Sequence, residues 1–251
     1  MRSRLVAKIL AEKGKPVMGR ELTNIPFEQW VTYVFDHPVG GPDASLWHLD
    51  DDDESEWWNA SRQPEVTVAY LTNLFENAAS VLAPFSDAQV KEGLWFLLDS
   101  GYSAAMFELL NRGVALSERT RCISSIYTLF ERFFAPRCAS HLSHLDRAGK
   151  STDEHPLNDV CYMWWDIAPV CGCSQGLDRA ELDAACLEVM RMTLDLDSDA
   201  CRESALHGLG HCYFEHPTQV KAIIDRFLDH HPDLRAELRA YAWAARAGRV
   251  Q

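Results

Sequence analysis

Apolar residues recur at helical spacing through most of the chain. From about residue 64 onward they repeat every three to four positions, the spacing of one helix face. The clearest stripes run over Leu71–Leu82, Val90–Leu98, Ile123–Phe134 and Val220–Leu228. No segment alternates between apolar and polar residues with comparable regularity, so the predicted fold class is all-α.

Local signals place the starts of several of these helices. Ser86 is followed three residues later by Gln89, which matches a capping box, and Ser198 is a second N-cap candidate. Pro26 and Pro156 suit the first turn of a helix. The connections between these helices are short, which favours antiparallel neighbours.

Two of the helix starts resemble each other. Ser-Asp-Ala is followed by a basic-acidic pair and an apolar run at both positions 86 and 198. These starts lie 112 residues apart (198 − 86), close to three units of roughly 37 residues.

On these residues the chain resembles HEAT and armadillo-type α-solenoids. The segment Arg202–Gly210 matches best, and together with Tyr241–Gly248 it also resembles uncharacterised bacterial HEAT-like proteins. The resemblance implies antiparallel helix pairs stacked as a short right-handed superhelix. A non-repetitive multi-helix bundle is the alternative, because good helix caps look alike.

The first 63 residues differ in composition from the rest. Short helices are expected at about Arg2–Glu12 and Pro26–Phe35, followed by a long loop rich in Gly, Pro, Asp and Ser. We therefore divide the chain into an N-terminal part, residues 1–63, packed on a helical repeat domain, residues 64–251.

Acidic charge is concentrated in that loop. The net charge of the chain is −13, which argues against nucleic acid and against an acidic membrane surface. The loop combines consecutive carboxylates with large aromatic residues, and the predicted partner-binding residues are Trp47, Asp50, Asp51, Asp52, Asp53, Trp57 and Trp58. They predict binding of a basic protein or peptide. The alternative is a solvated charge run whose tryptophans fix the loop to the core.

One histidine pair has the spacing of metal ligands. His207 and His211 lie four residues apart, so they share a helix face and predict a divalent-metal site. Gly208 occupies the position of the glutamate in H-E-x-x-H. The alternative is that both histidines are packing residues. Apart from a divalent metal ion at these histidines, no cofactor is expected, since no P-loop, dinucleotide-binding glycine pattern or Cys-x-x-Cys is present.

The function predicted from these patterns is non-enzymatic protein binding through an acidic helical-repeat surface. The alternatives are a metal-binding or metal-dependent protein using His207 and His211, and a structural role through self-association. The eight irregularly spaced cysteines favour reduced thiols and a cytoplasmic location. No signal peptide or membrane span is expected, and the oligomeric state is left open.

Overall fold

The computed structural model describes residues 20–39, 56–146, 155–169, 176 and 178–250. Two short strands are β1, Arg20–Leu22, and β2, Glu56–Trp58. The α-helices of the described ranges are α1 Phe27–Phe35, α2 Pro64–Glu76, α3 Ala78–Val81, α4 Asp87–Leu98, α5 Leu116–Leu129, α6 Ala135–Arg137, α7 Pro156–Ile167, α8 Arg179–Leu194, α9 Asp199–Cys212, α10 Pro217–His230 and α11 Ala236–Ala245. The chain is mostly helical, as predicted.

The predicted caps explain where several helices begin. Ser86 and Gln89 form the expected reciprocal capping box at α4. The Ser198 hydroxyl accepts a hydrogen bond from the Cys201 N–H at the start of α9. Pro156 is the first residue of α7. The two serine caps satisfy N–H groups that a helix leaves without partners at its N-terminus, and Pro156 has no N–H to satisfy.

The long helices pack in two rows. In one row α1 contacts α4, α4 contacts α7, α7 contacts α9, and α9 contacts α11. In the other row α2 contacts α5, α5 contacts α8, and α8 contacts α10. The two helices that start with Ser-Asp-Ala, α4 and α9, lie in the same row with α7 between them. They are therefore two steps apart along that row, not the three that an even repeat would require.

Two short strands of the N-terminal part pair in parallel, and Trp58 of the second strand packs on α2. Leu22 of β1 lies opposite Trp58 of β2. The Trp58 indole is buried, stacks on Tyr70, and donates through Nε1 to the Thr67 hydroxyl at 3.1 Å. Residues 56–62, predicted as loop, therefore form a strand and a short 3₁₀ turn, Ala60–Arg62. The burial of Trp58 is the physical reason.

Among the described residues, no helix has both the length and the apolar character needed to cross a bilayer.

Candidate metal centre

Two helices of one row, α7 and α9, face each other with polar residues at every turn. The α7 residues are Asn158, Tyr162 and Asp166, and the α9 residues are Glu203, His207 and His211. Tyr162 contacts His207, and Asp166 contacts His211 one turn later on both helices. The two helices therefore run in the same direction, and their polar stripes are matched.

Three ligand atoms converge at one end of these stripes. The Nε2 atoms of His207 and His211 are 3.1 Å apart, and His211 Nε2 lies 3.3 Å from Asp166 Oδ1. One ligand atom of each of the three residues lies within 4.8 Å of the other two. Ligand atoms around a tetrahedral zinc ion at the usual bond length of about 2.1 Å are separated by roughly 3.4 Å. The contacts of 3.1 and 3.3 Å are also hydrogen-bond distances, and their spacing is compatible with one metal ion held by the three residues.

The cluster is buried on one side and open on the other. His207 is 3% exposed, whereas the side chains of His211 and Asp166 are 43% and 39% exposed. His207 thus forms the floor of the cluster, and solvent reaches its other two members.

Two tyrosine hydroxyls surround the second ring nitrogen of His207. Tyr241, which α11 supplies, places its Oη 2.7 Å from Nδ1, and Tyr162 Oη lies 3.1 Å from the same atom. The two hydroxyl oxygens are 3.4 Å apart. This contact fixes the orientation of the imidazole and directs Nε2 towards His211.

Burial keeps these groups neutral. Desolvation and, to a smaller extent, the neighbouring His211 and His144 together lower the pKa of His207 to about 3. Burial also raises the pKa of Tyr241 well above its ordinary value. At neutral pH His207 is therefore an uncharged imidazole beside uncharged hydroxyls, and an uncharged imidazole is the form that binds metal ions.

A buried carboxylate organises the loop beside the cluster. Glu203 accepts hydrogen bonds from the backbone N–H groups of Ser143, His144 and Leu145 at 2.9, 3.2 and 3.0 Å. Burial raises the pKa of Glu203 to about 7, and the three N–H groups act in the opposite direction. The loop places the His144 ring parallel to Tyr162, with ring centroids 5.5 Å apart.

Gly208 explains why the chain has no H-E-x-x-H motif. A Cβ atom at position 208 would lie 2.6 Å from the Trp165 Cβ and 2.7 Å from the Met190 sulfur. The close contact between α7 and α9 therefore excludes any side chain there. The carboxylate of the cluster comes instead from Asp166 on the neighbouring helix.

Part of this cluster was predicted from the sequence. His207 and His211 lie together as predicted, whereas Asp166 and Tyr241 were missed. The sequence signal for Asp166 is its four-residue spacing from Tyr162, which repeats that of the histidine pair, and this spacing does not point to Tyr241.

Of the predicted partner-binding residues, the structure describes Trp57 and Trp58. Trp47 and Asp50–Asp53 are outside the described residues. Trp57 is half-buried, and Trp58 belongs to the core. Trp58 thus follows the alternative interpretation, in which a tryptophan fixes this segment to the core.

The cysteines differ from the expectation of reduced thiols in one case. Cys122, Cys138, Cys161, Cys186 and Cys201 are free thiols. Cys212 is disulfide-bonded, so the prediction of a reduced thiol was wrong there. Stable disulfides form mainly in oxidising compartments, so the cysteines do not establish a cytoplasmic location.

No family model, no curated protein and no solved structure matches the chain. The geometry of the described residues therefore carries the functional argument.

Proposed function

We propose that the protein binds a divalent transition-metal ion, with zinc as the first choice, through Asp166, His207 and His211. The observation that carries this proposal is the approach of two imidazole Nε2 atoms to 3.1 Å, beside a carboxylate oxygen at 3.3 Å. Two nitrogen ligands and one oxygen ligand suit zinc and its neighbours in the first transition row.

The arrangement favours a reactive rather than a structural centre. Structural zinc sites use four protein ligands, whereas catalytic sites use three and leave one position for water or substrate. Here three protein ligands converge, and two of them are substantially exposed. Asp166, His207 and His211 would hold the ion, and a divalent metal ion bound there would supply Lewis acidity and a bound water of lowered pKa. The reaction class that this supports is metal-assisted hydrolysis.

Zinc binding to the metal-free protein tests the proposal. The chain is stripped with a chelator, dialysed, and titrated with zinc against a competing chromophoric chelator. We expect one equivalent to bind to the wild type and tight binding to be lost in His207→Ala and Asp166→Asn. Cobalt substitution adds a visible spectrum that reports coordination number.

A matched control lies nearby on the chain. His216 Nε2 contacts the Asp183 carboxylate at 2.8 Å, so it is another imidazole–carboxylate pair outside the centre. His216→Ala should leave zinc stoichiometry and affinity unchanged. Equal loss of zinc binding in His216→Ala and His207→Ala would contradict the proposal, as would a wild type that binds no zinc.

Three predictions from the sequence remain proposals. We propose that the two rows of helices build a short superhelix. The sequence of helix-to-helix contacts along each row, from α1 to α11, supports this proposal. Small-angle scattering of the monomer tests it through the elongation of the particle. Binding of a basic partner by the acidic segment also stays a proposal, as does a cytoplasmic location.

A further inference from the structure

We infer that Tyr241 is the positioning residue that makes His207 a metal ligand, by accepting a hydrogen bond from its Nδ1–H. This inference rests on the proposed metal function. It assigns a role to α11, which supplies none of the three ligands.

The hydrogen-bond geometry supports the assignment. A neutral imidazole carries one ring proton, and a nitrogen that binds a metal ion must be the other one. When His207 Nε2 binds the ion, the proton resides on Nδ1, whose nearest acceptor is Tyr241 Oη at 2.7 Å. Metal-ligating histidines commonly donate their second N–H in this way, which fixes both tautomer and ring orientation.

Tyr162 plays a smaller part. Its hydroxyl is 3.1 Å from the same nitrogen, and it lies 3.4 Å from Tyr241 Oη. Once Tyr241 accepts from Nδ1–H, its own O–H can turn towards Tyr162 Oη. Tyr162 therefore supports the hydroxyl of Tyr241, and its loss should matter less to the metal ion.

The position of Tyr241 excludes a direct role as ligand. Its hydroxyl contacts Nδ1, the ring nitrogen that faces away from the other two ligands, and its phenol is buried. Its effect on the ion is transmitted through the His207 ring. The affinity for zinc should therefore fall without any change in stoichiometry.

Zinc affinity of Phe variants tests this assignment. Tyr241→Phe removes one oxygen and should weaken zinc binding about 10–100-fold, the usual cost of losing such a partner. Tyr162→Phe should weaken it less. Tyr127→Phe is the matched control, since that hydroxyl donates to the Glu131 carboxylate at 2.9 Å on another helix. Its affinity should equal that of the wild type.

A second readout separates positioning from a merely structural effect. Circular dichroism at the assay temperature confirms that each variant is folded before titration. In zinc-loaded wild type, ¹⁵N NMR should show His207 with a protonated Nδ1 and a metal-bound Nε2. In Tyr241→Phe, saturated with zinc, the Nδ1–H signal should shift and exchange faster with water.

The outcomes distinguish this inference from the proposed function. If His207→Ala loses zinc but Tyr241→Phe binds it like the wild type, the role of Tyr241 is refuted and the metal centre stands. If the wild type binds no zinc, both are refuted. A Tyr241→Phe protein with weakened affinity and an altered Nδ1 signal supports both.

Discussion

Two opposed effects act on the pKa of the Glu203 side chain, and their balance can be measured. The side chain is completely buried, which penalises its charge, yet it accepts three backbone N–H hydrogen bonds, which favour the charge. Glu203→Gln keeps the shape and removes the ionisation. Glutamine turns only one oxygen towards the loop, so one N–H loses its acceptor at a cost of about 1–3 kcal/mol at every pH.

The pH dependence follows from the pKa of Glu203. Folding raises this pKa from 4.5 to about 7, so the folded state binds the proton more tightly than the unfolded state. The bound proton therefore stabilises the folded state fully below pH 4.5, the pKa of Glu203 in the unfolded chain. This stabilisation is lost as the pH rises through about 7, its pKa in the folded protein. The shift corresponds to about 3 kcal/mol of unfolding free energy between roughly pH 4.5 and pH 7.

The assay compares the two proteins across this pH range. Urea unfolding at several pH values gives the free energy of unfolding for wild type and Glu203→Gln, and their difference cancels the other titrating groups. The advantage of the wild type should shrink by about 3 kcal/mol from about pH 4.5 to about pH 8. An advantage that grows with pH would show that the three hydrogen bonds outweigh burial, and it would refute the reasoning.

Three further predictions test packing, a buried ion pair and the acidic segment. Gly208→Ala should cost about 1–3 kcal/mol in urea unfolding, because its Cβ would meet the Trp165 Cβ at 2.6 Å; an unchanged midpoint would contradict this. Arg119→Met removes a buried guanidinium that donates to the Val114 carbonyl at 3.0 Å and to Asp178 at 2.6 Å, and it should destabilise by about 1–3 kcal/mol because the Val114 carbonyl loses its donor. Asp178 keeps the more distant Arg112 at 3.9 Å. A smaller loss in Asp178→Asn would fit its greater exposure. Replacing Asp50–Asp53 by Asn should weaken capture of a basic partner at low salt, and equal recovery would exclude this segment as the site.

The locally determined features of the chain were predictable. The caps at Ser86 and Ser198 depend on residues three positions away, and the helix face shared by His207 and His211 follows from their spacing. Such features need no knowledge of the tertiary packing. They gave the helical class and two members of the candidate centre.

The rest depends on how distant helices meet. Asp166 and Tyr241 reach the histidines only because α7 and α11 both pack on α9. Spacing within each helix does not determine which turns become neighbours. In the sequence, Glu203 stands out only as the acidic half of a basic-acidic pair. In the structure it is buried, because α9 is buried on nearly all sides. Its Gly, Ser and Ala residues obscure that burial, because small residues give a weak apolar stripe.

The matched polar stripes of α7 and α9 have a mechanical consequence. Sliding α9 by one turn, about 5.4 Å, would bring His207 opposite Asp166 and move His211 beyond it. Only one register gathers all three ligands at one point. The ion proposed to bind there would stabilise the two helices against sliding past each other, by at most its binding free energy.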